Sequence, residues 1–234
     1  MLRDYALIIT GCVDPDSSVP FLQLKDKTER AKQYIDSIHY YIEKTSIASI
    51  VFCDNSGTRA PEHLFELAQK YSKRFEWISF LGDKKKSVEQ GKGYGEGEII
   101  EYALSHSSIL KSAGYIVKVT GRVVIRNINL LLRFMREDRI YFLRNTANNV
   151  DTKLYGMPIL TYQHYFSKLY LDVDDLHGRY LENKFSDAII KNGIHIDPFI
   201  VFPNAQGISG STGQPYTIPI INRIKQTIKI HMWR

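Results

Sequence analysis

Apolar positions in the first half of the chain switch repeatedly between two periods. Residues Tyr5 to Thr10 (YALIIT) form a continuous apolar run ended by Gly11, Asp14 and Pro15, the pattern of a short strand buried on both faces. From Asp26 to Thr45 the spacing becomes helical, with Ala31, Tyr34, Ile35, Ile38, Tyr41 and Ile42 on one side and charges between them. The couplet then recurs. Ala48 to Cys53 (ASIVFC) predicts a second strand, Asp54 to Gly57 a turn, and Pro61 opens a helix carrying Leu64, Leu67, Ala68 and Tyr71. Phe75 to Leu81 predicts a third strand, followed by a Lys- and Gly-rich loop. Glu96 to Ser107 predicts a helix with Ile99, Ile100, Ala103 and Leu104 on one side, and Tyr115 to Thr120 a fourth strand.

Strands alternating with helices predict an α/β fold, a Rossmann-like and mostly parallel sheet flanked by helices with right-handed crossovers. In such sheets ligands lie beyond the carboxyl ends of the strands. Those ends carry Thr10 and Gly11, Asp54 and Asn55, Gly82 and Asp83, and Thr120 to Arg122. After Asn127 the alternation weakens: a helix is expected near Leu130 to Arg136, a strand near Tyr141 to Arg144, and helical stretches around Tyr165 to Ile190. The chain is therefore expected to form one domain. Residues 1–126 would be its ligand-binding half, residues 127–218 an irregular acceptor or lid half, and residues 219–234 a basic amphipathic segment.

Composition narrows this picture. With 234 residues, 44 % of them hydrophobic and 24 % charged, the chain can bury a core without disulfides. Cys12 and Cys53 both fall in or beside apolar runs, the setting of buried reduced thiols, which suits the cytoplasm. The amino-terminal apolar run breaks at Gly11 and Pro15, too early for a spanning helix or a signal peptide, and no other window approaches about 18 apolar residues. A net charge of +6 suits an anionic partner. Nucleic acid is not the partner expected, because Lys and Arg are dispersed and no RRM, HTH or KH signature appears.

Several short segments carry candidate chemistry. In GKGYGEGE, Gly91 to Glu98, the glycines Gly93 and Gly95 would let backbone amides approach a phosphate, Lys92 adds a charge, and the helix that follows offers its amino terminus. No GK[ST] closes the segment, so it is not a Walker loop, and a plain flexible connection with Glu96 and Glu98 favouring the helix start is the alternative. In KVTGRVVIRN, Lys118, Thr120, Gly121 and Arg122 bring two cations and a hydroxyl to a strand end, suited to a diphosphate; pairing with nearby carboxylates is the alternative. Asp54 and Asn55 in CDNSG can bond a ribose or base, and are also common turn residues. Asp172 and Asp174 in LYLDVDD have the spacing of Mg²⁺ or Mn²⁺ ligands, against which stands an acidic helix cap; Asp14 and Asp16 are weaker candidates. Asp151 and Glu182 are the candidate general bases for a sugar hydroxyl. His39, His63 and His106 lack metal-ligand spacing. Pro203 to Tyr216 reads as a polar surface loop able to close over substrate. Beyond Pro219, Ile220, Ile224, Ile228 and Met232 recur every fourth residue beside Arg223, Lys225, Lys229 and Arg234, with Trp233 at the end. The pattern suits either an anionic leaflet or docking on the domain.

Taken in order, YALIIT, IVFCDNSG, GKGYGEGEIIEYAL and KVTGR resemble GT-A type glycosyltransferases of bacterial capsule or lipopolysaccharide assembly, with a looser match through YLENKF and the GISGSTG loop. The resemblance spans roughly the first 130 residues, and the chain looks like the small polysaccharide-biosynthesis proteins that carry KxTGR where ordinary members have DxD. It implies a nucleotide-sugar donor, with Thr10, Asp54 and Asn55 near the nucleoside and Lys92 to Glu96 and Lys118 to Arg122 near phosphates and sugar. It implies a glycan or lipid-linked glycan acceptor, while a peripheral position on the inner face of the cytoplasmic membrane is the expectation that the basic C-terminal segment gives. The divalent metal that DxD holds in other members would be replaced by Lys118 and Arg122. A sugar nucleotidyltransferase would share the fold and the basic Gly-rich segment.

Overall fold

The structure is a computed structural model that describes residues 4–146, 149–208, 213–216 and 218–232. Its first half is a run of strand–helix couplets: β1 (Tyr5–Gly11), α1 (Lys27–Lys44), β2 (Ser49–Asp54), α2 (Glu62–Lys70) and β3 (Arg74–Ser79). There follow α3 (Lys84–Gln90), α4 (Lys92–His106), α5 (Ser108–Ser112), β4 (Tyr115–Thr120), β5 (Val123–Ile125) and α6 (Ile128–Phe134). The second half holds β6 (Tyr141–Thr146), β7 (Asn149–Pro158), α7 (Ile159–Tyr165), α8 (Leu181–Lys191), β8 (Ala205–Gly207) and α9 (Ile220–Met232). Two 3₁₀ turns, Leu169–Asp172 and Asp175–His177, separate α7 from α8.

The main sheet runs in the order β3-β2-β1-β4-β7-β6, with β3, β2, β1 and β4 parallel and β7 and β6 antiparallel. It is the mostly parallel, helix-flanked sheet expected. Period-two alternation divides the core between its faces. Leu7 and Ile9 of β1, with Phe52 and Val117, pack on Tyr34, Ile38, Tyr41 and Ile42 of α1. Ala6 and Ile8, with Val51, Cys53 and Ile116, pack on Ile99, Ile100 and Ala103 of α4 and on the Phe142, Phe166 and Phe185 cluster. Burial raises the pKa of both thiols, that of Cys12 to about 12.

One expectation is corrected, and one strand was not foreseen. The Lys- and Gly-rich stretch before Glu96 is helical: Asp83 caps α3, Gly91 turns the chain at φ 101°, and α4 begins at Lys92. Its glycines serve close packing, because a Cβ on Gly97 would strike the Tyr170 ring and one on Gly93 would press on Val173 and Leu181. The helical stretches expected around Tyr165 to Ile190 are the end of α7 and α8, separated by the two 3₁₀ turns, where Gly178 adopts φ 73° and Asp174 caps the second turn through His177 N. Strand β7 was not expected at all. Its polar residues Asp151, Thr152 and Lys153 interrupt the apolar pattern, yet Asp151 and Thr152 are buried by pairing between β4 and β6.

Candidate functional site

The parallel register aligns the strand ends. Thr10 pairs with Cys53 on one side and Thr120 on the other, so Gly11, Asp54 and Gly121 all leave the sheet at one level. Above them lies a cleft with two adjoining cavities. The inner one is bounded by Thr10, Asn55, Gly95 and the β1–α1 connection from Asp14 to Leu22, with Arg30 and Tyr34 behind. The outer one is bounded by Phe21, Thr152, Lys153, Asp175, Tyr180, Glu182 and Tyr216. Lys92, Glu96, Thr120 and Arg122 line both cavities and form their common wall.

The KVTGR segment divides its labour by the alternation of β4. Lys118 points into the protein and is wholly buried, its Nζ donating to Glu96 Oε1 and the Thr152 carbonyl at 2.6 Å each and to Thr120 Oγ1 at 3.1 Å. Three N–H donors meet three oxygens, so the ammonium is fully engaged within the protein and does not line the cleft. It fixes Glu96 at the common wall. Gly121 is needed because a Cβ there would strike the Thr10 carbonyl and the Tyr34 ring; its N–H donates to that carbonyl at 2.9 Å. Arg122 then emerges at the wall, with Nη1 donating to Gln33 Oε1 at 3.1 Å. Lys92 reaches the same wall and donates to the Phe21 carbonyl at 3.0 Å; burial lowers its pKa.

Of the two residues ending β2, the structure separates the roles. Asp54 is fully buried, lines neither cavity, and accepts from Val13 N at 2.8 Å, Thr58 N at 3.0 Å, Ser56 N at 3.1 Å and Ser79 Oγ at 3.2 Å. It ties the connections after β1 and β2 together. Asn55 does line the inner cavity, is only 8 % exposed, and its buried Oδ1 has no hydrogen-bond partner among the described residues. Such an acceptor beside a cavity is one that an ordered water or a ligand donor would satisfy.

Glu182, in the first turn of α8, faces the outer cavity and accepts from Thr152 Oγ1 at 2.9 Å. Burial, and then the nearby Glu96 charge, raise its pKa. Burial also raises that of Asp175, which accepts from Gly93 N at 3.3 Å. Asp151 is buried in β7, ion-paired with Lys153 and accepting from Lys153 N at 2.8 Å, and it lines neither cavity.

The residues present do not fit a divalent metal at this strand end. At the end of β4 stand a hydroxyl, a glycine and a cation, Thr120, Gly121 and Arg122, with no carboxylate among them. Asp174 is taken up by Arg179 and His177, which hold its carboxyl down at about 2, and Asp172 sits exposed on the first 3₁₀ turn. Among the described residues, no group of three or more His, Cys, Asp or Glu side chains could hold a metal ion.

Several cleft residues are absent from the sequence-derived set. Arg30 had a legible signal: it lies one turn before Tyr34 on the apolar side of α1, and its guanidinium is buried, donating through Nε to the Cys12 carbonyl at 2.9 Å and through Nη1 to the Leu24 carbonyl at 3.0 Å. Thr152 and Lys153 were hidden with β7, and Phe21 comes from a connection whose course no periodicity records, whereas Tyr216 ends the loop expected to close over substrate. Part of the Gly-rich segment before Tyr216, residues 209–212, lies outside the described residues, as do Trp233 and Arg234.

No protein family matches the chain, and no curated protein matches it either. Solved structures do show similarity. One, assigned as a nucleotide-diphospho-sugar transferase from Desulfovibrio desulfuricans G20, is 8 % identical, with 85 % of this chain and 80 % of that one covered and a TM-score of 0.47. The mannosyltransferase Ktr4p of S. cerevisiae is 10 % identical, with 94 % and 74 % covered and a TM-score of 0.46. HddC from Yersinia pseudotuberculosis is 10 % identical over 100 % of both chains at a TM-score of 0.35. At these levels the similarity speaks to no side chain and no substrate.

Proposed function

We propose that this chain is a glycosyltransferase that moves a sugar from a nucleotide-sugar donor to a hydroxyl of a growing bacterial surface glycan, of capsule or lipopolysaccharide type. The observation that carries this reading is the pair of cavities meeting at one wall of Lys92, Glu96, Thr120 and Arg122. A transfer reaction needs two substrates held with their reacting atoms in contact, which is what such a wall permits. The nucleoside occupies the inner cavity, where Asn55 Oδ1 accepts an N–H of the base. Arg122 and Lys92 face the diphosphate, and Glu96, held by Lys118, accepts from hydroxyls of the transferred sugar. Residues 1–126 thus serve the donor, and residues 127–218 supply most of the acceptor side.

The acceptor enters the outer cavity beside Glu182. Its oxygen forms the new bond to the anomeric carbon as its proton passes to the Glu182 carboxylate. The bond from that carbon to the diphosphate oxygen breaks, and the electron pair leaves on the diphosphate, next to Arg122. Lys118 acts one step back from this chemistry, as a positioning residue for Glu96. No step requires Asp151, Asp172 or Asp174.

The test is release of nucleoside diphosphate from nucleotide-sugars by the wild type, Arg122→Ala and Glu182→Gln. The expected result is turnover in the wild type, a fall of roughly 10²–10⁴-fold in Glu182→Gln, and weaker donor saturation in Arg122→Ala. Turnover undiminished in both variants would overturn the assignment, as would release of pyrophosphate from a nucleoside triphosphate, which is nucleotidyltransferase chemistry.

A further inference from the structure

Helix α9 turns one arc of its surface to the domain and leaves a different arc bare. The docked arc contains Ile230, only 4 % exposed, and Thr227, whose hydroxyl accepts from Phe202 N at 2.9 Å. His231 joins it, with Nε2 3.1 Å from the Ile200 carbonyl. At ~100° per residue, Ile224, Ile228, Ile221 and Met232 fall on the adjoining arc, while Ile220, in the first turn, lies in the direction of Thr227 and His231. These five are between 58 % and 77 % exposed, so the domain does not use the apolar stripe that the sequence displays. Lys225 and Lys229 follow the stripe on its side away from the domain, and no Asp or Glu occurs from Pro219 to Met232.

We infer that this face of α9 lies on an anionic lipid bilayer. A helix of 13 residues spans roughly 20 Å and can rest along the headgroup boundary with its isoleucines among the acyl chains. Lysines at the edge of the apolar arc extend their stems over the same surface and place their charges among lipid phosphates. Charge selects the bilayer over a second copy of the chain. A second copy packed helix on helix through this face would offer Lys225 and Lys229 no acidic residue, because α9 carries none from Pro219 to Met232, whereas an anionic bilayer offers phosphates. None of the described helices is long and apolar enough to cross a membrane, so the contact is one of surface. On the reading of the outer cavity as the acceptor site, the docking has a consequence. Tyr216 lines that cavity and α9 begins at Ile220, so the acceptor would be delivered from the same leaflet as a lipid-linked glycan.

The experiment is co-flotation of the full chain with vesicles of phosphatidylcholine alone and of phosphatidylcholine with phosphatidylglycerol, at ~0.05 M and ~0.5 M salt. The wild type is expected to float with the anionic vesicles only, and high salt to weaken that binding. Ile224→Glu combined with Ile228→Glu is expected to reduce the floated fraction about tenfold, with melting temperature and nucleotide-sugar affinity unchanged. Absence of flotation, equal flotation with both vesicle types, or a concentration-dependent dimer abolished by the same two substitutions would overturn the inference. The wild-type arms need no variant to fold. Donor titration reports separately, so failure of the membrane contact leaves the transferase reading standing, and the converse.

Discussion

At the scale of residues, the two cations of KVTGR have separable work, and their removal should show it. Lys118→Met leaves Glu96 without its partner and the Thr152 carbonyl without its donor. The expected cost is roughly 3 kcal/mol, near the low end for a broken buried pair because the Glu96 side chain keeps 22 % of its exposure. Arg122→Ala removes one bond to Gln33 and should cost about 1 kcal/mol, while weakening donor binding. Urea unfolding with donor titration checks both, and equal stability losses would contradict the division. The pH profile tests Glu182. As a base it acts when ionised, so kcat/KM falls as pH drops through a pKa raised above the ordinary glutamate value of about 4.3. Because the Glu96 charge contributes to that rise, Glu96→Gln should move the acidic limb to lower pH. A limb already at the ordinary value in the wild type would count against Glu182. The sequence displayed Lys118, Arg122 and Glu182 as polar residues in suggestive places. It could not display that Lys118 turns inward, since alternation along β4 says which residues share a face and not which face meets α4.

At the scale of elements, the glycines of α4 carry the sharpest prediction. Gly to Ala within a helix ordinarily stabilises by about 0.5–1 kcal/mol. At Gly97 the new methyl would meet the Tyr170 side chain from the first 3₁₀ turn, so Gly97→Ala should instead destabilise, by about 1–3 kcal/mol. A stabilised variant in urea unfolding would show that α4 does not need this close approach. The first four strands and α1 were legible because each buries a continuous or periodic apolar set. The start of α4 was not, because glycine clusters carry the same letters whether they form a loop or a tight helix contact. Strand β7 escaped for a different reason. Asp151 and Lys153 satisfy one another, and that pairing lets a polar stretch sit inside the sheet.

At the scale of the molecule, the parallel strands bring Thr10, Asn55, Thr120 and Arg122, distant in sequence, to one cavity, and the antiparallel pair β6–β7 completes the sheet beyond β4. Sequence located this end of the sheet because parallel α/β folds bind ligands there. It assigned Glu182 and residues 127–218 to an acceptor half, but it did not show that Thr152 and Lys153 of β7 and Phe21 of the β1–α1 connection line the same second cavity. The central claim is that this cleft binds a nucleotide-sugar through Asn55 and Arg122 with no divalent ion, and calorimetric titration tests it most directly. UDP-, GDP-, CMP- and dTDP-sugars titrated into the full chain in EDTA should yield saturable binding of at least one donor, weakened at least tenfold in Arg122→Ala, about 1.4 kcal/mol. Binding that appears only when Mn²⁺ or Mg²⁺ is added, or no nucleotide-sugar binding at all, would contradict it.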